Sequence, residues 1–151
     1  FNINLKNLFD INFDFFLKCE VIAELNPLCI KREDFKSFTE RISNAIDSYN
    51  CEKVRVFLGT EKIDGSIAAL AEILKKVHKE NKLIEQIEDL RIIQRLRNMT
   101  PTHSTNEPLG RFLKRFNMKY PDIQENWCDL SIFVLRETSR IIDRISKVLG
   151  E

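Results

Sequence analysis

The segment KLIEQIEDLRIIQRLRNM, residues 82–99, decides the fold. Leu83, Ile87, Leu90 and Ile93 recur at intervals of three and four, the spacing that lines one face of an α-helix. Neither glycine nor proline interrupts the run until Pro101, which forces Thr100 out of helical geometry. The pattern therefore predicts a helix from about Lys82 to Met99, followed by the polar loop TPTHSTNEP, residues 100–108. At about 100° per residue, Gln94 and Arg97 fall near the middle of the apolar stripe, where a core residue is expected. Arg91 and Arg95 point elsewhere, toward Glu88, as solvent-facing charges do.

The same periodicity extends in both directions. Upstream, Ile67, Leu70, Ala71, Leu74 and Val77 form a stripe on a helix that Ser66 is placed to cap and that should end near His78. Phe35, Phe38, Ile42, Ala45 and Ile46 mark another helix, and CEKVRVFLG, residues 51–59, reads as a short helix ended by Gly59. The first residues are ambiguous: Phe1, Ile3 and Leu5 alternate like a strand, whereas Phe9, Phe13 and Phe16 keep helical spacing. The expectation is a helix from about Phe13 to Leu25. Downstream, LGRFLKRF, residues 109–116, reads as a short helix, and a long one starts at PDIQE, where Asp122 and Glu125 have capping-box spacing.

That last helix runs to about Leu149, about 27 residues and roughly 40 Å. Trp127, Leu130, Val134, Thr138, Ile141, Ile145 and Val148 form its main row, with Cys128, Leu135, Ile142 and Leu149 beside it. A face this broad predicts packing inside a bundle and leaves room for a dimer contact.

Composition agrees with an all-α chain. Four glycines and four prolines in 151 residues are too few for a protein of strands and turns, and 43% hydrophobic residues supply one good core. The expectation is a single domain over residues 1–151, a bundle of about five to six helices. Because the chain starts at Phe1 rather than methionine, it reads as part of a longer protein. No apolar run approaches the roughly 18 residues of a membrane span, and Asp10 and Asp14 break the phenylalanine-rich start, so an intracellular, cytoplasmic protein away from membranes is expected. Cys19, Cys29, Cys51 and Cys128 lack CxxC spacing or a nearby histidine pair, which points to reduced thiols and to neither a zinc site nor a disulfide framework.

Charge is unevenly spread. Between Arg91 and Lys119 seven basic residues face one acid, Glu107, so that a chain of net charge +1 carries −5 outside this stretch. Such asymmetry suits an anionic ligand, although cations also simply solvate helix faces. No phosphate-cradling glycine loop, no histidine pair for a catalytic metal and no RNP-like aromatic motif is present. Phe112 and Phe116 have the spacing to stack bases or, more ordinarily, to bury the short helix.

Arg97 and His103 are the candidate chemical pair. A guanidinium binds phosphate through two hydrogen bonds at any relevant pH, and an imidazole exchanges a proton near neutrality. Together they suffice in principle for RNA cleavage without a metal: histidine acts on the ribose 2′-hydroxyl or the leaving oxygen, and arginine stabilises charge developing around phosphorus. Asn98 can hold the imidazole or touch the phosphate, and Thr102 is a further supporting polar group. Two copies around a two-fold axis would supply both an acid and a base. The plainer alternative is that Arg97 binds carbonyls at its own helix end while His103 is a solvated loop residue.

The segment IEDLRIIQRLRNMTPTHS, residues 87–104, followed by a short helix, KYPDIQENW and a long terminal helix, resembles the HEPN superfamily of small helical domains. Its signature is an arginine, usually followed by a polar residue, then four to six positions to a histidine; Arg97, Asn98 and His103 match it. The wider pattern covers about residues 54–149, leaving residues 1–50 unassigned. The resemblance implies a dimerising helical bundle whose two motifs meet at the interface and, in active members, an endoribonuclease of toxin–antitoxin, phage-defence or RNA-processing systems needing no cofactor. Arg97 and His103 are then catalytic, Asn98 and Thr102 supporting, and Arg95, Arg111, Lys114 and Arg115 candidates for holding RNA. Partners would be RNA, a second copy and an antitoxin or fused regulatory domain. Inactive members act as nucleotide-binding or dimerisation modules, which is the alternative reading here.

Overall fold

The computed structural model describes residues 2–11, 13–15, 27–77, 79–99, 107–118 and 126–150. These form seven α-helices and no strand: α1 (Asn2–Phe9), α2 (Arg32–Ile46), α3 (Cys51–Leu58), α4 (Ser66–Lys76), α5 (Glu80–Arg95), α6 (Glu107–Arg115) and α7 (Trp127–Gly150). A 3-10 turn, Leu96–Asn98, extends α5. The expected all-α bundle is observed.

Helix α5 sits at the centre, packed against α2, α4, α6 and α7. The stripe that predicted it explains why: Leu83, Leu90 and Ile93 are almost inaccessible, and Ile87 is buried beside them. Burying each such side chain is worth roughly 1.5–3 kcal/mol. The long α7 lies along α5 and α2, with Trp127, Leu130, Val134, Ile141 and Ile145 buried. Buried Thr138 donates to the Val134 carbonyl at 2.8 Å, so its hydroxyl brings no unpaired polar atom into the core. Its second row is only half-buried at Cys128, Leu135 and Ile142. Phe112 is fully buried, its ring tilted against Phe116 and edge-on to Phe133, so the Phe112 and Phe116 pair serves packing.

The helix ends show local chemistry at work. Asp34 reaches back to accept the backbone N–H groups of Ile30 and Lys31, and Asn50 accepts from Lys53 N–H at the start of α3. Gly59 ends α3 in the left-handed region at φ 69°, as expected of a glycine in that position.

Two expectations are corrected. The first helix is α1, and Phe13, Asp14 and Phe15, where a helix was expected to begin, are not helical. Asp10 and Asp14 adopt positive φ (54° and 52°), which breaks the helical path on either side of Ile11. Phe13 and Phe15 instead fold inward against Phe9, Phe57 and Tyr49, and the Phe13 carbonyl accepts the Asn50 N–H at 2.7 Å. Residues 16–25 of that expected helix lie outside the described residues, as do Asp122 and Glu125. The second correction concerns Ser66: it is the first residue inside α4, and the cap position belongs to Gly65.

Candidate functional site

The C-terminal end of α5 carries the candidate arginine. Its last turn tightens to 3-10 geometry over Leu96–Asn98, where fully buried Leu96 and, just beyond the turn, buried Met99 continue the apolar stripe. Arg97 was expected near the middle of that stripe. It is in fact exposed, with 42% of its side chain accessible, because the stripe here faces the polar end of α2 and the long side chain runs out to partners there. Its Nη1 donates to Asp47 Oδ2 at 3.0 Å and to Ser43 Oγ at 3.1 Å. Arg97 therefore bonds side chains of another helix end, in place of carbonyls of its own.

Asp47 is held from the other side. Its Oδ1 accepts the Ser66 backbone N–H at 3.3 Å and lies 3.2 Å from Ser66 Oγ. Ser66 Oγ donates at 2.6 Å to the Ile46 carbonyl, one of the unpaired acceptors at the end of α2. So α4, whose own cap residue is a glycine, takes its capping carboxylate from a residue 19 positions upstream, and the positive end of the helix dipole favours that charge. Gly65 permits the approach: a Cβ there would stand 3.3 Å from Asp47 Oδ1, and its φ of 91° suits glycine alone. Asp47 thus joins the ends of α2, α4 and α5 through one carboxylate.

A second feature lies on the other side of the same turn. Arg95, Asn98, Ile92 and the first residues of α6, Glu107, Pro108 and Arg111, line a groove of about 460 Å³. Arg111 pairs with Glu107 one turn before it. Arg95 and Asn98 are exposed. Of the residues expected to hold RNA, Arg95 and Arg111 share this groove. Lys114 is exposed elsewhere on α6, and Arg115 donates through Nε to Asp89 at 2.5 Å, tying α6 to α5. That hydrogen bond raises the Arg115 pKa above its ordinary value.

Thr102 and His103 lie outside the described residues, as do the other residues of 100–106. The Arg97 and His103 pair is therefore an expectation from sequence, with only the arginine placed. Among the described residues no cluster of histidine, cysteine or carboxylate side chains could hold a metal ion. Cys29, Cys51 and Cys128 are unpaired with one another; burial pushes the Cys29 thiol up from its ordinary pKa, which makes it a poor nucleophile. Among the described residues no helix is long and apolar enough to cross a membrane.

Sequence reading missed Ser43 and Asp47, and took Ser66 only as a helix cap. Their only local signal is that Asp47 follows a helix, an ordinary place for a polar residue; the contact with Arg97 spans 50 positions. Comparison with family models, with characterised proteins and with solved structures returned no match.

Proposed function

We propose that this domain is a HEPN-like endoribonuclease that cleaves RNA without a metal ion. Arg97 binds the scissile phosphate and His103 moves the proton. The observation that carries the reading is the exposed end of α5, where Arg97 is followed at once by Asn98, and where Arg95, Asn98 and Arg111 line an open groove on the side of the turn away from the Asp47 contact of Arg97. Such a groove suits a flexible single strand: guanidinium groups track phosphates, and the amide of Asn98 can donate to a phosphate or hold an imidazole.

In the reaction the ribose 2′-oxygen attacks the adjacent phosphorus as a base removes its proton. The P–O5′ bond breaks, an acid protonates the departing oxygen, and the products are a 2′,3′-cyclic phosphate and a 5′-hydroxyl. Arg97 stabilises the added charge on the non-bridging oxygens. A homodimer supplies two histidines, one for each proton transfer, and an antitoxin or fused regulatory domain would restrain the activity in the cytoplasm.

The test is incubation of purified protein with RNA in EDTA, comparing wild type with His103→Ala and Arg97→Ala. Cleavage by wild type alone, ending in cyclic phosphate, supports the reading. Equal cleavage by all three proteins identifies a contaminant and removes it. RNA or nucleotide binding without any product assigns a binding module instead, with salt-sensitive affinity.

A further inference from the structure

The contacts of Arg97 are all made by one nitrogen. Nη1 meets both Asp47 Oδ2 and Ser43 Oγ, whereas no described residue engages Nε or Nη2. Those two remaining nitrogens form the side edge of the guanidinium, the fork whose parallel N–H groups match two oxygens of a phosphate. Among the described residues, then, the arginine is gripped at one corner and its best phosphate-binding edge is left uncovered. It also loses part of the rotational freedom that a long side chain must otherwise give up on binding.

We propose that Asp47 is the positioning residue for Arg97: its carboxylate, fixed by the N-terminus of α4, holds Nη1 so that the Nε and Nη2 edge is presented to the scissile phosphate. This rests on the endoribonuclease reading above. Three features make Asp47 suited to the task. Its Oδ1 is anchored by Ser66, so Oδ2 is aimed by a helix end. Gly65 leaves the space the carboxylate needs. Its charge also lies 3.0 Å from Nη1 of Arg97, an attraction that holds the guanidinium in place.

A merely structural role and a positioning role separate in chemical rescue. Asp47→Asn retains an oxygen for Ser66 and removes the anion facing Arg97; Ser43→Ala removes the second contact and leaves the α4 cap intact. Both should fold. On RNA in EDTA, Asp47→Asn should lower kcat by about three- to tenfold with little change in KM, since orientation is realised in the transition state. In Arg97→Ala, added guanidinium ion should restore part of the activity when Asp47 is present, and at least about threefold less when Asp47→Asn is combined with it.

The outcomes are distinguishable. A wild type that leaves RNA intact overturns the endoribonuclease reading and this inference with it. A wild type that cleaves, Arg97→Ala that does not, and Asp47→Asn with unchanged kcat or equal guanidinium rescue overturn the positioning role alone. If Asp47→Asn is too unstable to assay, Asp47→Ser, which also removes the anion facing Arg97, decides: a lowered kcat supports the grip on Nη1, and an unchanged one overturns it.

Discussion

Replacing Arg115 by methionine should cost more than an ordinary surface charge. Its Nε donates to Asp89 Oδ1 at 2.5 Å, and the two partners differ in exposure: 38% of the Arg115 side chain is accessible but only 13% of Asp89. An exposed ion pair is worth about 0.2–1 kcal/mol, and solvent screening of the arginine keeps the Coulomb part near that range. Asp89, however, is left with little access to water, and a largely buried acceptor without its partner costs about 1–3 kcal/mol. The expected loss for Arg115→Met is therefore about 1–2 kcal/mol, roughly 2–8 °C in Tm for a chain of this size. Urea denaturation at pH 7 measures it, and the slope m should stay constant because no large surface changes.

The companion variant Asp89→Asn and the double variant complete a cycle, in which a coupling of about 0.5 kcal/mol or more is expected. The raised Arg115 pKa fixes the pH dependence. A cation whose folded pKa lies above its unfolded value contributes fully below the unfolded value and is lost only as pH climbs through the folded one. The destabilisation should thus be flat between about pH 6 and pH 9, far below arginine ionisation. A midpoint unchanged in Arg115→Met, or zero coupling with Asp89, would refute the claim that this pair fastens α6 to α5.

Two further changes probe other parts of the structure. Gly59→Ala should destabilise by about 1 kcal/mol in the same urea assay, entirely through backbone strain at φ 69°, because a Cβ there would meet no atom within 4 Å. In a spectrophotometric titration one of the two tyrosines, Tyr49, should ionise at about 12 in the folded protein, its phenol pushed up first by burial and then by its hydrogen bond to Cys51. Since the folded state keeps this proton after the unfolded chain has lost it, stability should fall as pH rises from about 10 to about 12, and Tyr49→Phe should remove that slope.

The helices with long stripes are legible in the sequence itself. In α2, α4, α5 and α7 the burial of residues such as Phe35, Leu70, Leu90 and Val134 follows a period of 3.6, a property of neighbours in the chain. Short or punctuated segments were less readable. Leu5 and Phe9 lie one turn apart in α1, yet Ile3 and Leu5 also alternate, and two aspartates in unusual conformations decide where that helix stops. At the candidate site the sequence singled out Arg97 as a polar residue in line with an apolar stripe, and its direction toward α2 agrees. Its accessibility does not, because an arginine at the end of a bundle can keep its stem beside the core and its charge at the surface.

Period and breakers follow from local sterics and hydrogen bonding, so the order of helices and their inward faces are written in the chain itself. The junction of Arg97, Asp47, Ser43 and Ser66 is not, since each contact closes a loop of 19 to 54 residues. Such contacts come into being only when α2, α4 and α5 have packed, and it is hydrophobic burial along their stripes that brings those polar ends together.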